Sequence, residues 1–166
     1  MGVIPKQPIE FAAAPPRYAE GTAVVDATPE QIWAVLIDHA TWPSWFGKAL
    51  KSVVPTSEPA AGVGSTRTVS LQGGTVVEEE FIAWDEPRLW AFTGTKVSPP
   101  AFRKLVERCT IEPLDDGRTR VTYRMAFEPA PLIKPLAGMI AKAASKALGE
   151  AMVNLGAEAS RRAAAG

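Results

Sequence analysis

"TPEQIWAVLIDHATWPSW", residues Thr28 to Trp45, opens as a helix and closes on two tryptophans that bracket Pro43 and Ser44. Thr28 is a good N-cap and Pro29 suits the first helical position. Gln31 stands where a capping box needs it. Ile32, Trp33, Leu36 and Ile37 follow at helical spacing, so they form an apolar stripe. His39 to Phe46 reads as a second short helical segment, interrupted by Pro43.

Upstream, Tyr18 to Val25 reads as a strand with Tyr18, Glu20, Thr22 and Val24 on one face. Residues 1–17 hold Pro5, Pro8, Pro15 and Pro16 and are expected to be an extended arm without a core of its own. Residues 18–166 form the expected domain. Downstream the period changes to two. Ala49–Thr56, Ser65–Gln72, Thr75–Trp84, Arg88–Val97, Phe102–Pro113 and Arg118–Glu128 read as strands separated by short Gly-, Pro- or Asp-rich links. That is an antiparallel meander. After Pro129 the helical period returns in a stripe of Leu132, Leu136, Met139, Ile140, Ala143, Ala147, Leu148, Met152 and Leu155. It predicts about 30 residues, or about 45 Å, of helix, with Pro131 and Pro135 splitting off a first turn.

The expected fold is α+β: a curved seven-stranded antiparallel sheet around a long C-terminal helix, with two short helices after the first strand. A chain of 166 residues suits one domain. Lys+Arg and Asp+Glu are both 18, which gives no global pull towards nucleic acid. One cysteine, Cys109, and one histidine, His39, argue against a disulfide, a metal site or a cofactor built on such ligands. No window approaches the ~20 apolar residues of a membrane span, and no signal peptide is evident at the N-terminus. The expectation is a cytoplasmic, cofactor-independent protein without a stable membrane anchor. Its oligomeric state is not readable. A sheet curving around a helix rich in small residues is expected to leave an apolar cavity, on the order of several hundred Å³.

Specific residues then enter in order: "VVDATPEQIWAVLID" (24–38), "WPSW" (42–45), "GVGSTR" (62–67), "EEEFIAWDEPRLW" (78–90) and "LGEAMVNLGAEAS" (148–160). The chain from about Tyr18 to Ala163 resembles the START-like superfamily (SRPBCC), the polyketide cyclases/dehydrases and lipid-transport proteins with a helix-grip fold. The resemblance implies a hydrophobic cavity between sheet and helix for lipids, polyketides or similar ligands. It implies no single reaction. It also places Trp45 and Phe46 beside the cavity opening, where they are candidates for a gate.

The last hairpin is the most readable. A loop of Asp115, Asp116 and Gly117 pairs Ile111 with Val121, Cys109 with Tyr123, Glu107 with Met125 and Leu105 with Phe127. Of these, Leu105, Glu107, Cys109, Tyr123, Met125 and Phe127 line the expected cavity, as do Trp90 and Phe92, which alternate with Ala91 and Thr93. Met139, Ile140 and Ala143 line it from the helix. Glu107 is the one misfit on the apolar face, either a polar anchor or a general acid, or else a mouth residue reaching water. Tyr123 offers it or a ligand a hydroxyl. Cys109 reads as a small filler, and His39 as a capping or surface residue rather than a base. A two-residue turn at Gly73-Gly74 sets Arg67 opposite Glu80 and Val69 opposite Glu78; this is either an Arg–carboxylate pair inside the cavity or, the favoured reading, a surface pair.

The favoured function is binding of a hydrophobic small molecule, as carrier or sensor. The alternative is a cofactor-independent cyclase, dehydratase or hydrolase on a polyketide-like substrate, with Glu107 and Tyr123 as the catalytic candidates.

Overall fold

The computed structural model describes all 166 residues. Seven strands curl into one antiparallel sheet in the order β2-β8-β7-β6-β5-β4-β3. They are β2 (Arg17–Val25), β3 (Leu50–Pro55), β4 (Thr66–Leu71), β5 (Val76–Asp85), β6 (Leu89–Ser98), β7 (Phe102–Pro113) and β8 (Thr119–Pro129). A two-residue β1 (Gly2–Val3) adds to β6. Helices α1 (Pro29–Ile37) and α2 (Trp42–Trp45) follow β2, and α3 (Ala137–Ala165) closes the chain. This is the helix-grip α+β architecture the sequence predicts. No helix is long and apolar enough to cross a membrane.

Local chemistry explains the elements. The capping box at α1 is complete: Gln31 N–H donates to Thr28 Oγ1 (3.3 Å) and Thr28 N–H to Gln31 Oε1 (2.9 Å). Pro43 does not interrupt α2. It lies in the helix's first turn, where no backbone donor is lost.

The N-terminal arm lies against the sheet. β6 pairs with β7 only over Leu89–Thr93, and beyond that its partner is β1, with Ile4 N–H donating to the Thr95 carbonyl (2.9 Å). Ile4 is buried with Val97, Leu105 and Phe127, and Ala12 with Val106 and Ala126. Arg124, which stands opposite Arg108, donates to Glu20 (2.5 Å) and to the Ala12 carbonyl (3.1 Å), which offsets the repulsion between the two arginines.

Helix α3 lies along β2, at one edge of the sheet. Two glycines set the distance. A Cβ on Gly21 would stand 2.2 Å from the backbone of Leu148 and Gly149, and one on Gly156 would stand 2.3 Å from Val25 Cγ1. The small residues thus permit backbone contact with β2. The phase this contact imposes buries Ala137, Leu148, Ala151, Met152, Leu155, Gly156 and Ala159. It corrects the predicted stripe. Met139 lies about two and a half turns before Leu148 and so points the opposite way, while Leu132, Leu136, Ala143 and Ala147 also face solvent.

Candidate functional site

The β4–β5 turn is longer than its glycine pair implies. Leu71 N–H donates to the Thr75 carbonyl (2.8 Å), so Gln72, Gly73 and Gly74 form the loop, with both glycines at positive φ (85° and 91°). The register moves by one residue: Arg67 faces Glu79 and Val69 faces Val77. The expected Arg67–Glu80 surface pair is therefore replaced by an interior one, because Arg67 shares the inner face with Val69. Glu80 bonds Lys6 outside (2.5 Å). Arg67 is 1 % exposed, and its Nε–H donates to Glu79 Oε2 at 2.7 Å.

Four aromatic rings enclose the guanidinium. Its carbon lies 4.4 Å from the centroid of Phe92, 4.5 Å from Trp42, 5.1 Å from Phe81 and 5.5 Å from Trp90. Ring faces replace part of the lost hydration of a cation. They do not accept every N–H: Nη1 is buried without an acceptor in the protein, which costs free energy.

The β7–β8 hairpin supplies the second half. Its register is the predicted one, with Glu107 opposite Met125 and Cys109 opposite Tyr123. Tyr123 Oη donates to Glu107 Oε2. Burial, and then the charge of Glu79, pushes Glu107 up to about 8, against the Tyr123 hydrogen bond and Arg67, which lower it. Glu79 is raised by burial and lowered by Arg67. Two carboxyls beside one guanidinium cannot both stay charged cheaply. The direct contact with Arg67 leaves the charge on Glu79 and the proton on Glu107. Burial raises the Tyr123 hydroxyl, so it stays protonated, and raises the Cys109 thiol, which is an inert filler.

Other expected site residues fall around this group or away from it. Trp90 and Phe92 point inward beside it, and Leu105 and Phe127 belong to a separate cluster over Ala137. Met125 packs against both clusters. Trp45 is enclosed between Trp42 and Phe46 (5.0 and 5.6 Å), with its indole N–H unpartnered. Phe46 keeps accessible surface and packs on Trp42 (5.4 Å) and Tyr123 (5.7 Å), so it covers the site. The Trp42 indole N–H donates to the Leu36 carbonyl (2.9 Å). Ile140 is half-buried, whereas Met139 and Ala143 face solvent rather than the interior, because α3 turns that side away from β2.

Glu107, Met125, Phe46, Ala141 and Ala144 retain partial exposure although they flank or face the sheet's inner side. The expected cavity of several hundred Å³ between sheet and α3 is not one of the two larger pockets, and aromatic side chains fill the space around Arg67. A separate apolar pocket of about 460 Å³ opens between Ile37–Ala40 and the β3–β4 end, bordered by Val53, Ala61 and Trp84. His39 lies on its wall. It is buried rather than a surface or capping residue, because its ring lies parallel to that of Phe81 at 6.1 Å. Burial, then Arg67, lowers it to about 4 against the pull of Asp38, so it is neutral at pH 7.

The sequence points to Glu107 and Tyr123, leaves Arg67 open between interior and surface, and gives it Glu80 rather than Glu79 as partner. A signal existed. Glu79 alternates with Val77 and Phe81, and Arg67 with Val69, which is the period-two mark of an inner face.

The chain matches the family model "Polyketide cyclase / dehydrase and lipid transport" over residues 18–160. An uncharacterized protein of Mycobacterium tuberculosis is 32 % identical over 127 residues, 76 % of this chain and 75 % of the relative. Among solved structures, the Zhui aromatase/cyclase of Streptomyces sp. R1128 superposes with TM-score 0.73 at 20 % identity, covering 90 % of this chain and 98 % of the other. A START superfamily protein of Mycobacterium smegmatis superposes with TM-score 0.59 at 19 % identity, covering 80 % and 94 %. The helix-grip fold, the buried polar group within it and the family match agree: the chain belongs to the polyketide cyclase/dehydrase and lipid-transport family of the START-like superfamily.

Proposed function

We propose that the protein binds a hydrophobic, largely aromatic small molecule that carries an oxygen acceptor, between the inner face of the sheet and α3, as carrier or sensor. The observation that carries this reading is Arg67 Nη1, a buried cationic donor with no acceptor in the protein, set among Trp42, Phe92, Phe81 and Trp90. Aromatic walls favour a flat apolar body, and an unpaired guanidinium N–H favours a carbonyl, phenolate or carboxylate. Phe46 is the residue that would move to admit it.

Tryptophan-fluorescence titrations with 1-naphthol and with naphthalene test this. Wild type should bind the naphthol more tightly. The double variant Arg67→Met/Glu79→Leu removes the anchor without leaving a lone buried charge, and should lose about tenfold for naphthol and little for naphthalene. Equal affinities, or no change in the variant, would overturn the reading. Native mass spectrometry of the protein as purified from cells would identify the ligand class.

A second reading, a cofactor-independent cyclase or dehydratase, is favoured by one observation: Glu107 is held protonated near neutrality beside Tyr123. A carboxyl in that state can transfer a proton to a bound carbonyl or leaving hydroxyl. Glu107→Gln separates the two readings. Retained binding with lost turnover supports catalysis. No turnover by wild type across a panel of poly-β-ketone mimics supports the carrier.

A further inference from the structure

The start of α3 carries a surface that the interior site does not use. Between Glu128 and Glu150 the chain holds Lys134, Lys142 and Lys146 and no acidic residue, although acids and bases balance at 18 each over the whole chain. The same stretch exposes Leu132 at 89 %, Leu136 at 51 % and Met139 at 65 %. Single exposed apolar residues are ordinary, but these follow one another through the turn and into the first turn of α3. Met139, Lys142, Ala143 and Lys146 then stand at i, i+3, i+4 and i+7, on the side of α3 turned away from β2.

Beside this strip is a surface pocket of about 320 Å³, bordered by Arg17, Arg103 and Lys134, with Glu128 and Pro131 in its wall. Glu128 is engaged by Lys104 (3.0 Å) and Arg103 (3.6 Å). Arg17, Lys134, Lys142 and Lys146 have no acidic partner. The strip and the pocket are contiguous through Pro131, Lys134 and Ala137.

We propose that this face docks on an anionic phospholipid bilayer, with Leu132, Leu136 and Met139 reaching the acyl boundary and the Arg17–Arg103–Lys134 pocket taking a phosphate headgroup. An apolar strip flanked by cations, with the pocket's Glu128 already paired to Lys104 and Arg103, matches a surface that is negative outside and apolar beneath. It does not match a second copy of itself, since a two-fold contact would set lysine against lysine. The docking is peripheral, and it stands independently of which molecule the interior binds.

Co-sedimentation with vesicles of phosphatidylcholine alone, and with about one third phosphatidylglycerol, tests it. Binding is expected to the anionic vesicles only, and to weaken as salt rises to about 0.5 M. Lys142→Gln and Lys146→Gln should each weaken it about fivefold. Leu132→Asp/Met139→Asp should abolish it without lowering the melting temperature, because both side chains are exposed. No binding by wild type at low salt would overturn the proposal, as would undiminished binding by Leu132→Asp/Met139→Asp. So would a wild-type dimer that this variant converts to monomer while vesicles stay unbound. Binding of inorganic phosphate without vesicle binding would likewise overturn it. The naphthol titration reads the interior separately, so either proposal can fail alone.

Discussion

In the β4–β5 hairpin the buried carboxylate of Glu79 meets a guanidinium. In the β7–β8 hairpin the protonated carboxyl of Glu107 meets a phenol. Both glutamates lie on the concave face and both are raised by burial, yet their charge is handled differently. Glu79 stays charged against Arg67, and Glu107 keeps its proton. The first hairpin therefore supplies a fixed dipole and the second a titratable group. A site for an oxygenated apolar ligand can use one for orientation and the other for proton transfer.

The largest effect should come from breaking the charged half. Glu79→Ala leaves Arg67 unpaired and sealed, and should cost about 3–5 kcal/mol in urea unfolding, whereas Arg67→Met/Glu79→Leu should recover most of it. A cost below about 1 kcal/mol would mean that water reaches Arg67.

The neutral half should show itself through pH. Glu107 moves from an ordinary 4.5 to about 8 in the folded chain. Between those values the folded state binds more protons than the unfolded state, so its contribution to stability is present below about 4.5 and falls as pH rises to about 8. The stability of wild type relative to Glu107→Gln should follow that slope, by at most about 1.4 kcal/mol per pH unit. His39 provides the opposite sign. Lowered from 6.5 to about 4, it makes wild type gain stability relative to His39→Gln as pH rises through that interval. A flat Glu107 difference would erase the contrast between the hairpins.

Tyr123→Phe should cost about 1 kcal/mol. It should also raise the Glu107 pKa further, since the lost hydrogen bond is one that lowers it. Carboxyl carbon NMR of Glu107 checks the direction. The smallest effect belongs to the outer face of the same hairpin. The exposed Glu112–Arg120 pair, at 3.2 Å, should lose no more than about 0.5 kcal/mol on Glu112→Ala.

The two hairpins also differ in how well the sequence specifies them. In β7–β8, one register places Leu105, Cys109, Ile111, Val121, Tyr123, Met125 and Phe127 on one face, so Glu107 and Tyr123 were legible as neighbours. In β4–β5 the loop carries two glycines, and both a two- and a three-residue turn can use them. The run Glu78-Glu79-Glu80 puts acids on both faces. A one-residue change there exchanges a surface partner for a buried one. The gate region shows a related limit: WPSW reads as a helix-edge aromatic cluster, but which indole N–H finds an acceptor depends on the Leu36 carbonyl, a turn away.

By itself, the sequence determined the element order, the antiparallel meander, the capped first helix and the last hairpin's register, while the family came from the resemblance of particular segments. The first four rest on periodicity or on contacts between residues near in the chain. Only the tertiary structure decided that Arg67 enters the core, that burial and then the nearness of Glu79 keep the proton on Glu107, and that Met139 faces outward. Those outcomes depend on how strands far apart in the chain stack across the sheet, and on the helix phase that Gly21 and Gly156 impose where α3 meets β2. A local pattern cannot encode such distances, because the energies that set them arise only when the two surfaces meet.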